Sequence, residues 1–327
     1  MKNKRLTELD GLRGIAALAV VLFHYIYHYD NIYGHSFAVS ELFRFGYYGV
    51  HLFFIVSGFV IYWTISKSKN SFDFIWSRFS RLYPVFWAAL SITFLSLLFF
   101  SLPGREKEIG TFLMNITMVH EYFNYSHIDG VYWTLTLELA FYFWICLIFY
   151  LGKLDEIEKI LIFWVITATI LTFETLGLNI DKRIGKFFLL DYIELFSAGI
   201  CFYKYKTSSY TNWTNTLLLV SSIALFLSYP LITALGLFSF FIIFLLVVTN
   251  RVPILGNRFI VYVGTVSYSL YLIHQNIGYL IIHGFYKANF NPIFGIAVAL
   301  LVSFTLAHLL TNLVEQPSLK ALRRISH

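Results

Sequence analysis

About ten apolar runs succeed one another along these 327 residues, at 12–30, 47–66, 82–102, 131–151, 157–176, 187–204, 214–229, 231–249, 260–282 and 293–314. Each is close to the roughly 20 residues that a helix needs to cross the hydrocarbon core of a bilayer. Lipid offers no water to backbone N–H and C=O groups, so runs of this kind fold as helices that satisfy their own backbone. Charged residues make up 13% of the chain and mean hydropathy is +0.70, whereas soluble domains carry about 25% charged residues. The expected class is an all-α, polytopic membrane helix bundle of about ten spans, with one membrane-embedded domain over residues 1–327. Runs seven and eight meet at Ser228-Tyr229-Pro230, where one kinked or re-entrant unit is the alternative.

Orientation follows from loop cations. Of the 24 Lys and Arg residues, Arg13 lies in the first run; sixteen of the others fall on the side of the amino terminus and seven on the opposite side. Both termini are therefore expected in the cytoplasm of a multi-pass cell-membrane protein. Lys182, Arg183 and Lys186 fall on the outer side against this rule, which makes runs five and six the weakest part of the topology. Lys2, Lys4 and Arg5 begin the chain as a signal peptide would. The apolar stretch after them carries Arg13 and His24 and has no small-residue cleavage pattern, so it reads as a retained first span. The net charge of +6 suits cytoplasmic loops and anionic lipid rather than nucleic acid. Cys146 and Cys201 sit in apolar runs and read as small buried hydrophobes, with no metal site expected.

Ionisable groups inside spans mark candidate chemistry. Arg13 and His24 are eleven positions apart with nothing charged between them, which places them on nearly one helix face about 16 Å apart. Counted along their runs, His24, Ser57, Glu138 and His274 all lie near the middle of a roughly 30 Å core. Towards the inner ends lie Arg13, Arg78 and Arg81, the last two in Arg78-Phe79-Ser80-Arg81-Leu82-Tyr83-Pro84 with Pro84 suited to a first helical turn. Arg forks suit phosphates. Phosphate contacts beneath a mid-membrane His fit acyl-CoA as a co-substrate, with no permanently bound cofactor. The longest outer connection, 103–130, carries Glu106, Glu108, His120, Glu121, His127 and Asp129, and its middle, 109–119, reads as an interfacial or re-entrant helix. That connection is either an acceptor-facing site or a solvated cap.

Six segments, in order, resemble the acyltransferase-3 family of integral-membrane O-acyltransferases. They are Leu9 to His24, Phe53 to Phe59, Arg78 to Pro84, Trp133 to Glu138, Tyr268-Ser269-Leu270-Tyr271-Leu272-Ile273-His274, and Glu315-Gln316-Pro317. The resemblance extends from Leu9 to Pro317. It implies ten spans, an acyl-CoA donor entering from the cytoplasm, acylation of a hydroxyl on a cell-surface or lipid-linked glycan, and a need for Arg13 and His24. It also favours a bacterial host, in which the Asn-x-Ser/Thr triplets at Asn115, Asn124 and Asn212 carry no information. An appended hydrolase-like domain is not expected, so any second transfer step falls to another protein.

The residue readings keep their alternatives. His24 is expected to be catalytic, as a general base or through an acyl-His intermediate. Glu138 either joins it, by orienting a His or binding the acceptor, or forms a structural salt bridge. Arg13, Arg78 and Arg81 are donor-binding candidates; the last two serve equally as positive-inside anchors. Asp10, Ser57, Trp133, Tyr271 and His274 are pocket-lining candidates, with Asp10 pairing to Arg13 one turn away and Ser57, beside Gly58, as a packing residue. Glu315 is expected to pair with Arg324 or Arg81. The rival reading is a secondary transporter that uses His24, Glu138 and His274 as a proton relay.

Overall fold

A computed structural model describes residues 6–37, 40–173 and 180–323. The predicted loop cations Lys2, Lys4, Arg5 and Arg324, and the end of the fifth run at 174–176, lie outside the described residues. The chain is all-helical, 82% helix, with no strand among the described residues. In order the helices are α1 (Thr7–Leu22), α2 (Tyr29–Tyr33), α3 (Gly49–Ile65), α4 (Ser71–Phe99), α5 (Ile109–Asn115), α6 (Trp133–Tyr150) and α7 (Ile157–Thr172). They continue with α8 (Lys182–Phe187), α9 (Ile193–Lys206), α10 (Asn212–Ser228), α11 (Leu231–Val248), α12 (Arg258–Lys287), α13 (Pro292–Leu310) and α14 (Gln316–Arg323). A helix occupies each of the apolar runs read from the sequence. Among the described residues, six helical stretches are long and apolar enough to cross a membrane: Thr7–Tyr33, Ser40–Ile65, Ser71–Phe99, Gly130–Tyr150, Leu231–Val248 and Pro292–Leu322.

Local chemistry sets the boundaries. The Thr211 side chain accepts from the Thr214 N–H and the Thr214 hydroxyl from the Thr211 N–H, a reciprocal cap that starts α10. Asn291 caps α13, which begins at Pro292. Runs seven and eight are two helices, because Tyr229 before Pro230 is extended (φ −125°, ψ 150°) and Pro230 is extended too. Pro84 does not begin a helix: α4 starts at Ser71 and carries Pro84 inside it. Leu82, two residues earlier, has its carbonyl taken by the Tyr268 hydroxyl at 3.1 Å.

The chain divides into two compact units. One comprises residues 6–9, 50–75 and 137–257. In it α3 and α9 meet backbone to backbone: a Cβ on Gly58 would stand 2.0 Å from the Phe196 carbonyl oxygen, and one on Gly199 would stand 2.1 Å from that of Ile55. Close approach of this kind needs small residues. The same unit buries Glu158 and Lys204 as an ion pair, with the Thr214 hydroxyl donating to the same carboxylate oxygen at 3.0 Å. Lys204, the last residue of the sixth apolar run and one of the sixteen cations assigned to the inner side, is thus a buried structural charge. Cys201 is buried here and Cys146 half-buried, both as free thiols.

The other unit comprises residues 10–37, 40–49, 76–136 and 258–323. Its centre is the parallel pairing of the first helix with α12. A Cβ on Gly264 would lie 1.8 Å from the Asp10 carbonyl oxygen, and one on Gly14 would lie 2.3 Å from that of Ile260. Further along, the Tyr25 hydroxyl lies against Gly278 and donates to the His274 carbonyl at 2.8 Å. Gly264→Ala therefore has to push α1 off α12, and overpacking typically costs about 1–3 kcal/mol. A lowered thermal midpoint of the purified protein is expected; an unchanged midpoint would contradict this packing.

Candidate functional site

His24 stands where the first helix stops being α-helical. Phe23–His28 is a π-helical segment, and the Tyr29 N–H reaches back five residues to the His24 carbonyl. Such wide turns leave backbone carbonyls without their usual α partners and occur often at functional sites. The Val20 carbonyl meets His24 Nδ1 at 2.9 Å, and His274 Nε2, from α12, stands 3.1 Å from the same nitrogen. His274 Nδ1 in turn lies 3.1 Å from the Leu270 carbonyl and 2.9 Å from that of Tyr271.

These partners assign the tautomers. A carbonyl only accepts, so the proton of neutral His274 is on Nδ1 and its Nε2 carries a lone pair. By the same argument His24 carries its proton on Nδ1, which donates to Val20 and to His274 Nε2, and its own Nε2 is left with a lone pair. His24 is half-buried whereas His274 is fully buried. The arrangement holds a neutral imidazole with a basic nitrogen in a fixed orientation. The two histidines anticipated from separate spans are brought together.

The cluster extends one turn further, through residues that the sequence reading left out. The His28 ring is 5.4 Å from that of His24, and His28 Nδ1 is 2.6 Å from the Tyr279 hydroxyl. The i, i+4 spacing of His24 and His28 is the signal that points to it. Asp129, fully buried, accepts the Asn276 N–H at 3.0 Å and the Val131 N–H at 3.3 Å. The Leu272 carbonyl, which stands one α-helical rung from Asn276, accepts the Tyr132 hydroxyl at 3.2 Å. Residues 128–132 thus grip the backbone and side chains of α12 just after His274. Burial pushes the Asp129 carboxyl up to about 6 against the pull of those two N–H groups.

The remaining candidates are placed as follows. Asp10 and Arg13 pair at 3.7 Å. Arg78 is buried, with Nη2 donating to the Ser77 hydroxyl at 3.2 Å, and Arg81 is half-buried. Both lie on α4, about 10 and 15 Å from its first residue, rather than in a loop before it. The Tyr271 hydroxyl meets the Thr134 hydroxyl at 2.9 Å and donates to the Val131 carbonyl at 3.0 Å, while Trp133 opens α6. In the first unit, the Ser57 hydroxyl donates to Glu138 Oε1 at 3.1 Å and the Tyr142 hydroxyl donates to the same oxygen. Packing at this point belongs to Gly58, and Ser57 serves the carboxylate. Glu138 makes no salt bridge among the described residues. Glu315 accepts from the Ser269 hydroxyl at 3.4 Å, with no ion pair to Arg81 among the described residues, and its other expected partner, Arg324, lies outside them. Among the described residues, no three His, Cys, Asp or Glu are grouped to hold a metal ion.

Compared with known protein families, residues 6–312 match the acyltransferase-3 family, described as an acyltransferase domain. The chain belongs to this family. It is therefore a membrane acyltransferase in general terms, and the match takes in His24, Glu138 and His274. No curated protein and no solved structure matches the chain.

Proposed function

We propose that this acyltransferase moves an acyl group, acetyl in the first instance, from cytoplasmic acyl-CoA to a hydroxyl of a cell-surface or lipid-linked glycan. Ten spans with both termini in the cytoplasm would let donor and acceptor approach from opposite sides, in the cell membrane of a bacterium. The observation that carries the reading is His24, held by Val20 and His274 with a lone pair on Nε2.

In the proposed step, His24 Nε2 takes the proton of the acceptor hydroxyl as that oxygen attacks the thioester carbon. The C–S bond breaks, the proton passes from His24 to the departing thiolate, and the ester and CoA thiol leave the histidine neutral. His274 acts as a positioning residue, because its Nε2 accepts the Nδ1–H that orients the ring. The cations of Arg13, Arg78 and Arg81 are suited to the CoA phosphates. Asp10 holds Arg13, and Trp133 and Tyr271 line the pocket. Glu138, whose Oε1 accepts from Ser57 and Tyr142, keeps a second carboxylate oxygen for a hydroxyl donor.

The test is release of CoA thiol from acetyl-CoA by the protein in nanodiscs, with and without a crude surface-glycan extract. Release stimulated by the extract is expected. Intact protein that neither binds CoA nor releases it, yet carries solute across liposomes without acyl-CoA, would establish the transporter reading instead.

A further inference from the structure

The connection that follows α4 carries two cations for which the proposed chemistry has no use. Leu102-Pro103-Gly104-Arg105 is a type II turn: Gly104 has φ +73° and the Arg105 N–H donates to the Leu102 carbonyl at 3.0 Å. Leu102 is buried, and the Tyr33 hydroxyl donates to the Pro103 carbonyl at 2.9 Å. The turn is therefore fixed at both ends, and it sets the Arg105 guanidinium 5.6 Å from the centre of the Tyr279 ring. Tyr279 is the partner of His28, whose ring touches that of His24.

A ring face attracts a guanidinium but leaves its five N–H donors unsatisfied. Lys107, two residues on, is also half-buried and donates only to the Ser126 hydroxyl, at 3.0 Å. Burial, and then the Arg105 charge, lower the Lys107 ammonium from its ordinary value. Among the described residues neither cation pairs with a carboxylate. Glu106 and Glu108 flank them but are exposed, and the buried Asp129, whose charge also reaches Arg105, has its oxygens on two backbone N–H groups. Two half-buried like charges at and just after a fixed turn, with only the distant pull of Asp129 on Arg105 and no carboxylate in contact with either, make a site for an anion.

We propose that Arg105 and Lys107 form an oxyanion subsite that recognises a carboxylate or phosphate on the acceptor, near the hydroxyl to be acylated. The assignment to the acceptor rests on the acyltransferase reading above. Its substrate class is then an acidic glycan or a sugar phosphate rather than a neutral sugar. A lipid headgroup presents the same phosphate chemistry, so the test separates the two sources.

The full-length protein in zwitterionic nanodiscs, without acyl-CoA, is titrated with methyl glucuronide, inorganic phosphate and neutral methyl glucoside. The two anions are expected to bind the wild type at least tenfold more tightly than they bind Arg105→Gln/Lys107→Gln, and the glucoside to show no such difference. Arg105→Lys, which keeps the charge, should retain most of the anion affinity, and Glu106→Gln should raise it about two- to threefold. Equal binding of glucuronide and glucoside, or full anion affinity in the double variant, overturns the proposal. Loss of glucuronide binding when phosphatidylglycerol replaces the zwitterionic lipid assigns the cations to headgroups and also overturns it. Since no donor is present, these outcomes are independent of whether the wild type releases CoA, which tests the acyltransferase reading itself.

Discussion

Acetyl transfer by the His24→Ala protein is expected to fall about 10²- to 10⁴-fold, the range that a positioned general base contributes. The variant should still insert, because Tyr25 keeps its hydroxyl on the His274 carbonyl and Gly14 and Gly264 still seat α1 on α12. CoA affinity should change little, since the candidate donor cations are on other residues. His274→Ala tests the positioning role separately. It leaves His24 Nε2 in place but removes one of the two acceptors of its Nδ1–H, leaving only the Val20 carbonyl, so kcat should fall about tenfold while the KM for CoA holds, and the pH profile of kcat should move. Transfer at wild-type rates by His24→Ala would exclude this histidine as the base. Recovery of an acetyl group on His24 after exposure to acetyl-CoA alone would show that the same lone pair acts as a nucleophile.

How much of this was legible in the sequence depends on the distance over which each interaction acts. Apolar runs are local, so a helix stands at each predicted one, and the separation at Pro230 follows from proline chemistry. The Asp10 and Arg13 pair is one turn apart and was legible for the same reason. The meeting of His24 with His274 was anticipated only as a match of depth, because nothing in a sequence fixes the rotation of a helix about its axis. The π-helical segment was not legible: Phe23–His28 has no proline or glycine to announce it, and a partner such as Tyr279 on α12 is 251 positions away. Polar partners supplied by distant residues were hidden in the same way. Ser57 was read through its neighbour Gly58, and its carboxylate partner is 81 positions away. Glu315 takes a serine hydroxyl from α12, 46 positions away, a partner that no local pattern announces.

Lys204 carries the second large effect. Counted on the inner side by the loop-charge rule, it is 9% exposed and paired to Glu158, itself 4% exposed, where the start of α7 meets the end of α9. The Thr214 hydroxyl from α10 completes the carboxylate shell, and the ammonium also lies 5.5 Å from the Tyr62 ring centre on α3. Four helices thus converge on one pair of charges. Removal of one partner strands the other in a medium that solvates it poorly, at a cost of about 3–5 kcal/mol. Glu158→Ala should therefore unfold at markedly lower denaturant than the wild type, with less protein recovered from membranes. Replacing both partners by apolar residues, as in Glu158→Leu/Lys204→Met, removes desolvation and attraction together, and such exchanges are often neutral or stabilising by about 1–4 kcal/mol. The double variant is accordingly expected to recover most of what the single variant loses. Two single losses that simply add would mean that the pair is not coupled. A double variant that is stable but slow in transfer per folded molecule would mean that these charges do more than hold the four helices together.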